Sequence, residues 1–145
     1  MYAVSAAPAV SRQLRTEKKD EGASASKPRV LVVDDEPIIR ELLVQHLADE
    51  GFVAESASTI VQAHALVRQQ RPDAIVLDLM LPARSGWDFL RERETDPDLS
   101  GIPVLVVSAA TQARLVEAGH LGADALLSKP FDLDELTAVL HSFVR

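Results

Sequence analysis

The sequence has 145 residues, no cysteine and a formal net charge of −7. The length predicts one domain that can bury a core without cross-links, and the lack of cysteine excludes disulfides and thiolate metal sites and suits a reducing cytosol. The sequence contains neither an apolar run approaching the roughly 18 residues of a membrane span nor the apolar core of a signal peptide. We therefore expect a cytoplasmic protein without membrane insertion.

The charge is unevenly distributed along the chain. Residues 1–28 carry a net charge of +2, whereas residues 29–145 carry −9. Residues 1–28 are rich in Ala, Ser and charge, which predicts a flexible N-terminal tail. A short helix over 11–19 and a tail that contacts a partner are alternatives. The acidic remainder argues against direct nucleic-acid binding, which relies on Lys and Arg, and is compatible with binding a cation.

From residue 29 onward, strand and helix patterns alternate. The predicted strands cover 30–33, 52–55, 74–77, 102–107 and 124–127. The predicted helices begin at Pro37, at about residue 59, at Trp87, at Thr111 and after Asp132; Gly51 ends the first and Asp96-Pro97 the third. Strict alternation with short loops implies a parallel sheet covered on both faces. The predicted fold is a doubly wound, flavodoxin-like α/β sandwich with five helices and the strand order 2-1-3-4-5, in a single domain over residues 29–145.

Chemically useful side chains follow four of the five predicted strands. The first strand ends at Asp34-Asp35, the third at Asp78, the fourth at Ser108 and the fifth at Lys129. In the order 2-1-3-4-5 the first and third strands are neighbours at the topological switch point, where open α/β sheets bind ligands. We therefore expect three carboxylates to converge in one crevice, with a hydroxyl and an ammonium group opposite them.

This set of groups suggests a cation site and a phosphoryl acceptor. Clustered carboxylates raise one another's pKa values unless a cation is bound, and oxygen ligands favour Mg²⁺ or a similar hard cation. A carboxylate can also act as a nucleophile that forms an acyl phosphate. Asp78 is the natural acceptor because it stands alone on the central strand. Lys129 and Ser108 are suitable groups for neutralising the charge of the transferred phosphoryl group.

Each of these residues also has a purely structural interpretation. Asp34 or Asp35 could cap the following helix, Ser108 could cap the helix that begins at Thr111, and Lys129 could be solvated. Their joint occurrence at four strand ends favours the functional interpretation.

Four segments together resemble the receiver domain of two-component response regulators. They are Val32-Val33-Asp34-Asp35-Glu36, Leu77-Asp78-Leu79-Met80-Leu81-Pro82 with Gly86, Val107-Ser108-Ala109, and Gly122-Ala123-Asp124 leading to Lys129-Pro130-Phe131. The resemblance covers about residues 29–145 and includes every signature block in order. It implies a signalling switch that accepts a phosphoryl group from a histidine kinase or a histidine phosphotransfer protein. It also implies a protein that is not an enzyme beyond assisting its own phosphorylation and dephosphorylation.

The resemblance further assigns a role to individual residues. Asp78 is the expected phosphoacceptor, and it would bind Mg²⁺ together with Asp34, Asp35 and the backbone carbonyl of Met80. Lys129 would pair with Asp78 and then bind the phosphoryl group.

Other roles concern the switch that follows phosphorylation. Ser108 would move to hydrogen-bond a phosphoryl oxygen, helped by the backbone N–H of Ala109. The Lys129–Pro130 peptide bond would be cis. Leu126 occupies the switch position at which receivers commonly carry Tyr or Phe, so the usual aromatic readout is in doubt.

The expected output is a change in the surface that binds a downstream protein, over about residues 111–144. A phosphorylation-dependent dimer is a further alternative. The absence of an output segment after residue 145 favours a single-domain regulator over a fragment of a longer one. Three other functions fit less well: an unphosphorylated pseudo-receiver, a flavodoxin-type cofactor binder and an aspartyl phosphatase. They would require, respectively, a lost site residue, a Gly-rich phosphate loop, and an Asp at the position of Met80.

Overall fold

The computed structural model describes residues 26–81, 86–109 and 111–144. Within these ranges the strands are β1 (Arg29–Val33), β2 (Val53–Ala57), β3 (Ala74–Leu77), β4 (Val104–Ser108) and β5 (Ala125–Ser128). The helices are α1 (Pro37–Asp49), α2 (Ile60–Gln69), α3 (Gly86–Arg93), α4 (Gln112–His120) and α5 (Leu133–Phe143). Most of the predicted tail, with its alternative helix over 11–19, and the motif residue Pro82 lie outside the described residues.

The five strands form one parallel sheet in the order β2-β1-β3-β4-β5, which confirms the predicted topology. In β1, Val33 pairs with Ala57 of β2 on one side and with Leu77 of β3 on the other. Because all strands run in the same direction, their carboxyl ends meet at one edge of the sheet. This edge carries the side chains that the sequence singled out.

Side chains of each central strand alternate between two buried clusters. Val30 and Val32 face a cluster formed with α1 and α5, whereas Leu31 and Val33 face a cluster formed with α2, α3 and α4. The helices thus cover both faces of the sheet. This arrangement explains why the central strands are continuous apolar runs rather than alternating ones.

Several element boundaries differ from the prediction by one to three residues, as in β2, β4 and α3. β2 covers Val53–Ala57 rather than 52–55, because pairing with the whole of β1 extends it to Ala57 while Phe52 is buried just before the strand. β4 begins at Val104, two residues after Ile102. α3 ends at Arg93, before the Asp96-Pro97 signal, and a series of turns follows.

The helix termini show whether the predicted site residues act as helix caps. The N-cap of α1 is Glu36, which makes no side-chain capping hydrogen bond, and the N-cap of α4 is Thr111, whose side chain accepts from the N–H of Arg114. Asp34, Asp35 and Ser108 are therefore not the N-cap residues of these helices. None of the helices in the described ranges is long and apolar enough to span a bilayer.

The largely buried side chain of Arg93, which is 14% exposed, joins three segments at the opposite edge of the sheet. The Arg93 guanidinium donates to the carbonyls of Ile102 (2.8 Å) and Gly122 (2.6 Å) and to Asp124 Oδ2 (2.9 Å). Asp124 Oδ2 also accepts from the N–H of Val104 at 2.8 Å. The end of α3 and the starts of β4 and β5 are thereby held together.

Candidate functional site

The site forms where the two central strands end. Asp34 follows β1 directly and Asp78 follows β3 directly, and these strands are paired in register up to Val33 and Leu77. The two acids therefore leave the sheet side by side. Asp34 is 3% exposed and Asp78 is 5% exposed, whereas Asp35 is exposed. One carboxylate oxygen from each of the three lies within 4.8 Å of the others.

The two buried acids use their oxygens in the same way. Asp34 Oδ1 accepts a hydrogen bond from the N–H of Glu36 at 2.9 Å, and Asp78 Oδ1 accepts one from the N–H of Met80 at 3.0 Å. An Asp side chain commonly stabilises a turn by binding the backbone two residues further on. In each case the second oxygen, Oδ2, remains directed toward the side chain of Lys129.

Lys129 connects the end of β5 to both buried acids. Its N–H donates to the carbonyl of Ser108 at 2.9 Å, which extends the β4–β5 pairing by one residue. Its Nζ lies 2.9 Å from Asp34 Oδ2 and 3.2 Å from Asp78 Oδ2. A third carboxylate oxygen, Glu36 Oε1, lies 3.2 Å from the same Nζ. The Lys129–Pro130 peptide bond is cis.

The remaining predicted residues lie on β4 and β5 and on the segments that follow β3 and β4. Ser108 is the last residue of β4 and is fully buried, and Ala109 follows it at the exposed end of the strand. The side chain of Met80 is 60% exposed. Leu126 is half-buried and packs against the cluster formed with α2, α3 and α4, where its Cδ1 faces Gly119.

Burial and charge act in opposite directions on the two central groups. Burial raises the pKa of Asp78, and the nearby charge of Asp34 adds to this effect, while the Met80 N–H and the Lys129 ammonium counteract it only in part. Burial alone would lower the pKa of Lys129, but the hydrogen bond to Asp34 and the charges of Asp78 and Asp34 outweigh it and raise that pKa well above its usual range. Lys129 is therefore a permanent ammonium, whereas burial makes the negative charge of Asp78 unfavourable despite the nearby ammonium.

Comparison with known protein families identifies this arrangement. The model of the response regulator receiver domain matches residues 30–141. The chain belongs to this family. It is a receiver domain of two-component signalling, as the sequence motifs predicted.

Named relatives of this receiver domain are transcriptional and signalling regulators. The response regulator MprA of a Mycobacterium species is 41% identical over 81% of this chain and 50% of its own length. The DNA-binding dual master transcriptional regulator RpaA of Synechocystis is 35% identical over 81% of this chain and 49% of its own length. The chain thus spans about half the length of these curated relatives. These relatives are named as regulators rather than as enzymes.

The solved structures give the same result for the receiver fold. The chemotaxis protein CheY4 of Vibrio cholerae superimposes with a TM-score of 0.74 at 28% identity, over 81% of this chain and 98% of that protein. The likeness therefore extends over nearly the whole of that single-domain structure.

The acidic cluster of this receiver domain fits a hard divalent cation. It offers three carboxylate oxygens within 4.8 Å of one another, and carboxylates are the protein ligands that Mg²⁺ prefers. Receivers typically use Mg²⁺ at such an acidic pocket. The electrostatic reason for a cation here is that the single ammonium of Lys129 faces several carboxylates. A cation would help to compensate the negative charge of Asp78 and Asp34.

Two residues at the site were not predicted from the sequence. Glu36 binds the ammonium of Lys129, and the guanidinium of Arg40 donates to the backbone carbonyl of Asp34 at 2.9 Å. The sequence does contain an indication for Glu36, because it is the third acid of the run Asp34-Asp35-Glu36. The only indication for Arg40 is its position one helical turn after Glu36.

Proposed function

We propose that this receiver domain is a phosphorylation-operated switch whose acceptor is Asp78 and whose donor is the phosphohistidine of a histidine kinase or a histidine phosphotransfer protein. One observation carries the proposal. The Asp78 carboxylate is buried at the end of β3, with one oxygen on the N–H of Met80 and the other on Lys129. A carboxylate that is oriented in this way beside two further acids is suited to in-line attack on a phosphoryl group.

The proposed transfer is a single displacement at phosphorus. A carboxylate oxygen of Asp78 forms the new P–O bond while the P–N bond of the phosphohistidine breaks, and the electron pair leaves with the imidazole nitrogen, which then takes up a proton. Such transfers depend mainly on positioning and on neutralisation of the equatorial oxygens. The Lys129 ammonium supplies a permanent positive charge. The Ser108 hydroxyl and the Ala109 N–H are the proposed donors to a phosphoryl oxygen.

We further propose that Asp34, Asp35, Asp78 and the backbone carbonyl of Met80 hold Mg²⁺. When bound, the cation would supply positive charge for the carboxylates and for the incoming phosphoryl oxygens. The donor set supports this assignment, since it consists of oxygen atoms only. The cation would then share with Lys129 the compensation of the negative charge of the cluster.

The proposed output lies on the face formed by α4, β5 and α5, over residues 111–144. Ser108 ends the strand that pairs with β5, and Leu126 lies on β5 beside α4. Movement of Ser108 toward the phosphoryl group would shift a pre-existing equilibrium between two arrangements of this face. Leu126, which is smaller than an aromatic residue, would follow that movement and alter the binding of a downstream protein or of a second receiver.

We propose no nucleic-acid contact by the receiver domain itself. Its net charge over residues 29–145 is −9, which opposes binding to phosphates. The DNA binding that is named for RpaA would, by this reasoning, belong to the part of that protein that this chain does not match.

The test is the intact mass after incubation with acetyl phosphate and Mg²⁺. We expect one phosphoryl adduct on the wild-type protein and none on Asp78→Asn. Asp88→Asn is the matched control, because Asp88 is an exposed carboxylate on α3 that pairs only with the nearby Arg91 among the described residues. The adduct should disappear when EDTA replaces Mg²⁺.

Two results would overturn the proposal. One is an adduct that persists on Asp78→Asn, which would place the acceptor elsewhere. The other is the absence of both an adduct and a beryllofluoride-induced shift in the amide spectrum of a protein that binds Mg²⁺. Beryllofluoride mimics a bound phosphoryl group and needs no donor specificity.

A further inference from the structure

The ammonium of Lys129 has no donor left for a phosphoryl oxygen in the resting site. A lysine ammonium carries three N–H donors. Three carboxylates take them: Asp34 at 2.9 Å, Asp78 at 3.2 Å and Glu36 at 3.2 Å. A phosphoryl oxygen can bind Lys129 only if one of these partners gives way or shares its donor.

Glu36 is the partner best placed to give way. Its carboxylate is 59% exposed, whereas those of Asp34 and Asp78 are 5% and 6% exposed. Water can therefore replace the ammonium at Glu36 at little cost, but not at the two buried acids. Asp34 and Asp78 also belong to the proposed cation site, and Glu36 does not.

The helix terminus gives a second, independent indication. Glu36 is the N-cap residue of α1, the position at which a side chain normally satisfies a free backbone N–H, and it makes no such hydrogen bond. Its own N–H is fixed by Asp34 Oδ1 at 2.9 Å. The backbone of Glu36 is thus anchored to the site, while its side chain contacts Lys129 instead of the helix.

We propose that Glu36 is a positioning residue that holds one N–H of Lys129 in the resting state and releases it to a phosphoryl oxygen during phosphorylation. This inference rests on the proposed function of Asp78. It adds a residue that sets how readily Lys129 engages the phosphoryl group. Because the contact exists only before transfer, a substitution that removes it destabilises the resting site but not the transition state. The barrier to phosphorylation is then lower.

The expected effect of Glu36→Gln is a faster phosphorylation by acetyl phosphate, by about two- to fivefold, as for loss of one partly exposed ion pair. Glu36→Asp provides the discriminating comparison. Aspartate keeps the negative charge, but it is one methylene shorter and is a preferred N-cap residue. We expect it to cap α1, to lose the contact with Lys129, and to accelerate phosphorylation like Glu36→Gln.

Glu41→Gln is the matched control. Glu41 is an exposed acid of the same helix and is not among the three carboxylate partners that Lys129 has in the described part of the chain. Its replacement removes the same charge and should leave the rate at the wild-type value. The unfolding free energy of each variant is measured in urea alongside the rate. If Glu36 acted only on stability, the phosphorylation rates of the variants would follow their unfolding free energies. We expect instead that Glu36→Asp is more stable than Glu36→Gln but is phosphorylated at the same rate.

The outcomes are distinguishable. Equal rates for the wild-type protein and Glu36→Gln, or a wild-type rate for Glu36→Asp, would overturn the inference and leave Asp78 as the acceptor. Equal acceleration by Glu41→Gln would show that the phosphorylation rate responds only to the net charge of the protein. That result would also overturn the inference. A wild-type protein that takes no phosphoryl group at Asp78 would overturn the proposed function and the inference together.

Discussion

Replacement of Gly86 by alanine would place a methyl group against the backbone of Asp78, the proposed acceptor residue. Gly86 begins α3, and its N–H donates to the carbonyl of Leu79 at 3.0 Å. A Cβ at this position would lie 2.5 Å from the carbonyl oxygen of Asp78 and 2.7 Å from the Cα of Leu79. Because the packing around it is close and both atoms belong to the backbone, one segment must move by about half an ångström.

The size of the effect follows from what moves. Overpacking of a buried position costs about 1–3 kcal/mol of unfolding free energy. The displaced atoms belong to Asp78, whose carboxylate would meet the phosphoryl donor in the proposed function, and to the next residue, Leu79. Since misplacement by an ångström can cost two orders of magnitude in rate, a shift of half that size should slow phosphorylation by on the order of tenfold.

The assay is urea unfolding together with the rate of phosphoryl adduct formation. Gly119→Ala is the matched control, because a Cβ there would make only an ordinary contact of 3.7 Å with Leu126 Cδ1. Gly119 lies in α4, so alanine should stabilise the protein there, by up to about 1 kcal/mol. If Gly86→Ala were as stable and as reactive as the wild-type protein, the close approach of α3 would not position the acceptor, and this reasoning would be wrong.

Three further predictions concern charge. In EDTA, the free energy of unfolding of Asp78→Asn should rise relative to that of the wild-type protein as the pH increases from 3.8 through the higher pKa of Asp78 in the folded state. Between these two pKa values the unfolded wild-type protein has lost the Asp78 proton and the folded one has kept it, so the wild-type protein becomes less stable as the pH rises. Urea titrations across this range test the sign. Arg93→Ala should lower the free energy of unfolding by about 1–3 kcal/mol without altering Mg²⁺ affinity, since it removes the donor to the carbonyls of Ile102 and Gly122 and one of the two donors to Asp124. Asp35→Asn should abolish the rise in Tm that Mg²⁺ causes in the wild-type protein, yet change stability in EDTA by less than about 1 kcal/mol because Asp35 is exposed.

The topology was predictable because strand and helix signals in this sequence agree with one another. Apolar runs such as Val30–Val33 are too short for buried helices and end at polar residues, and Pro37 and Gly51 delimit α1. The boundaries of β2 were not predictable in the same way. Ser56 and Ala57 have no strand signal of their own, and they are extended only because β1 lies alongside as far as Val33. Pairing with a neighbouring strand overrides local preference.

The positions of the site residues were predictable, but the pattern of contacts was not. The rule that parallel strands end at one edge suffices to bring Asp34 near Asp78. Which oxygen binds which donor depends on the turns that follow each strand. The sequence could not reveal that Oδ1 of each acid binds the N–H of the residue two positions later, while Oδ2 binds Lys129. It also could not reveal that Lys129 reaches Glu36.

Lys129 connects Asp78 to the ends of three other strands of the receiver domain. Its ammonium binds acids that follow β1 and β3, whereas its backbone follows β5 and pairs with Ser108 at the end of β4. A change in the partners of this one ammonium therefore acts on all four strand ends at once. Since only three residues separate Lys129 from the start of α5, a displacement of Lys129 on phosphorylation would also act on the proposed output face. The proposed switch therefore has a contiguous path of contacts from Asp78 through Lys129 to the start of α5.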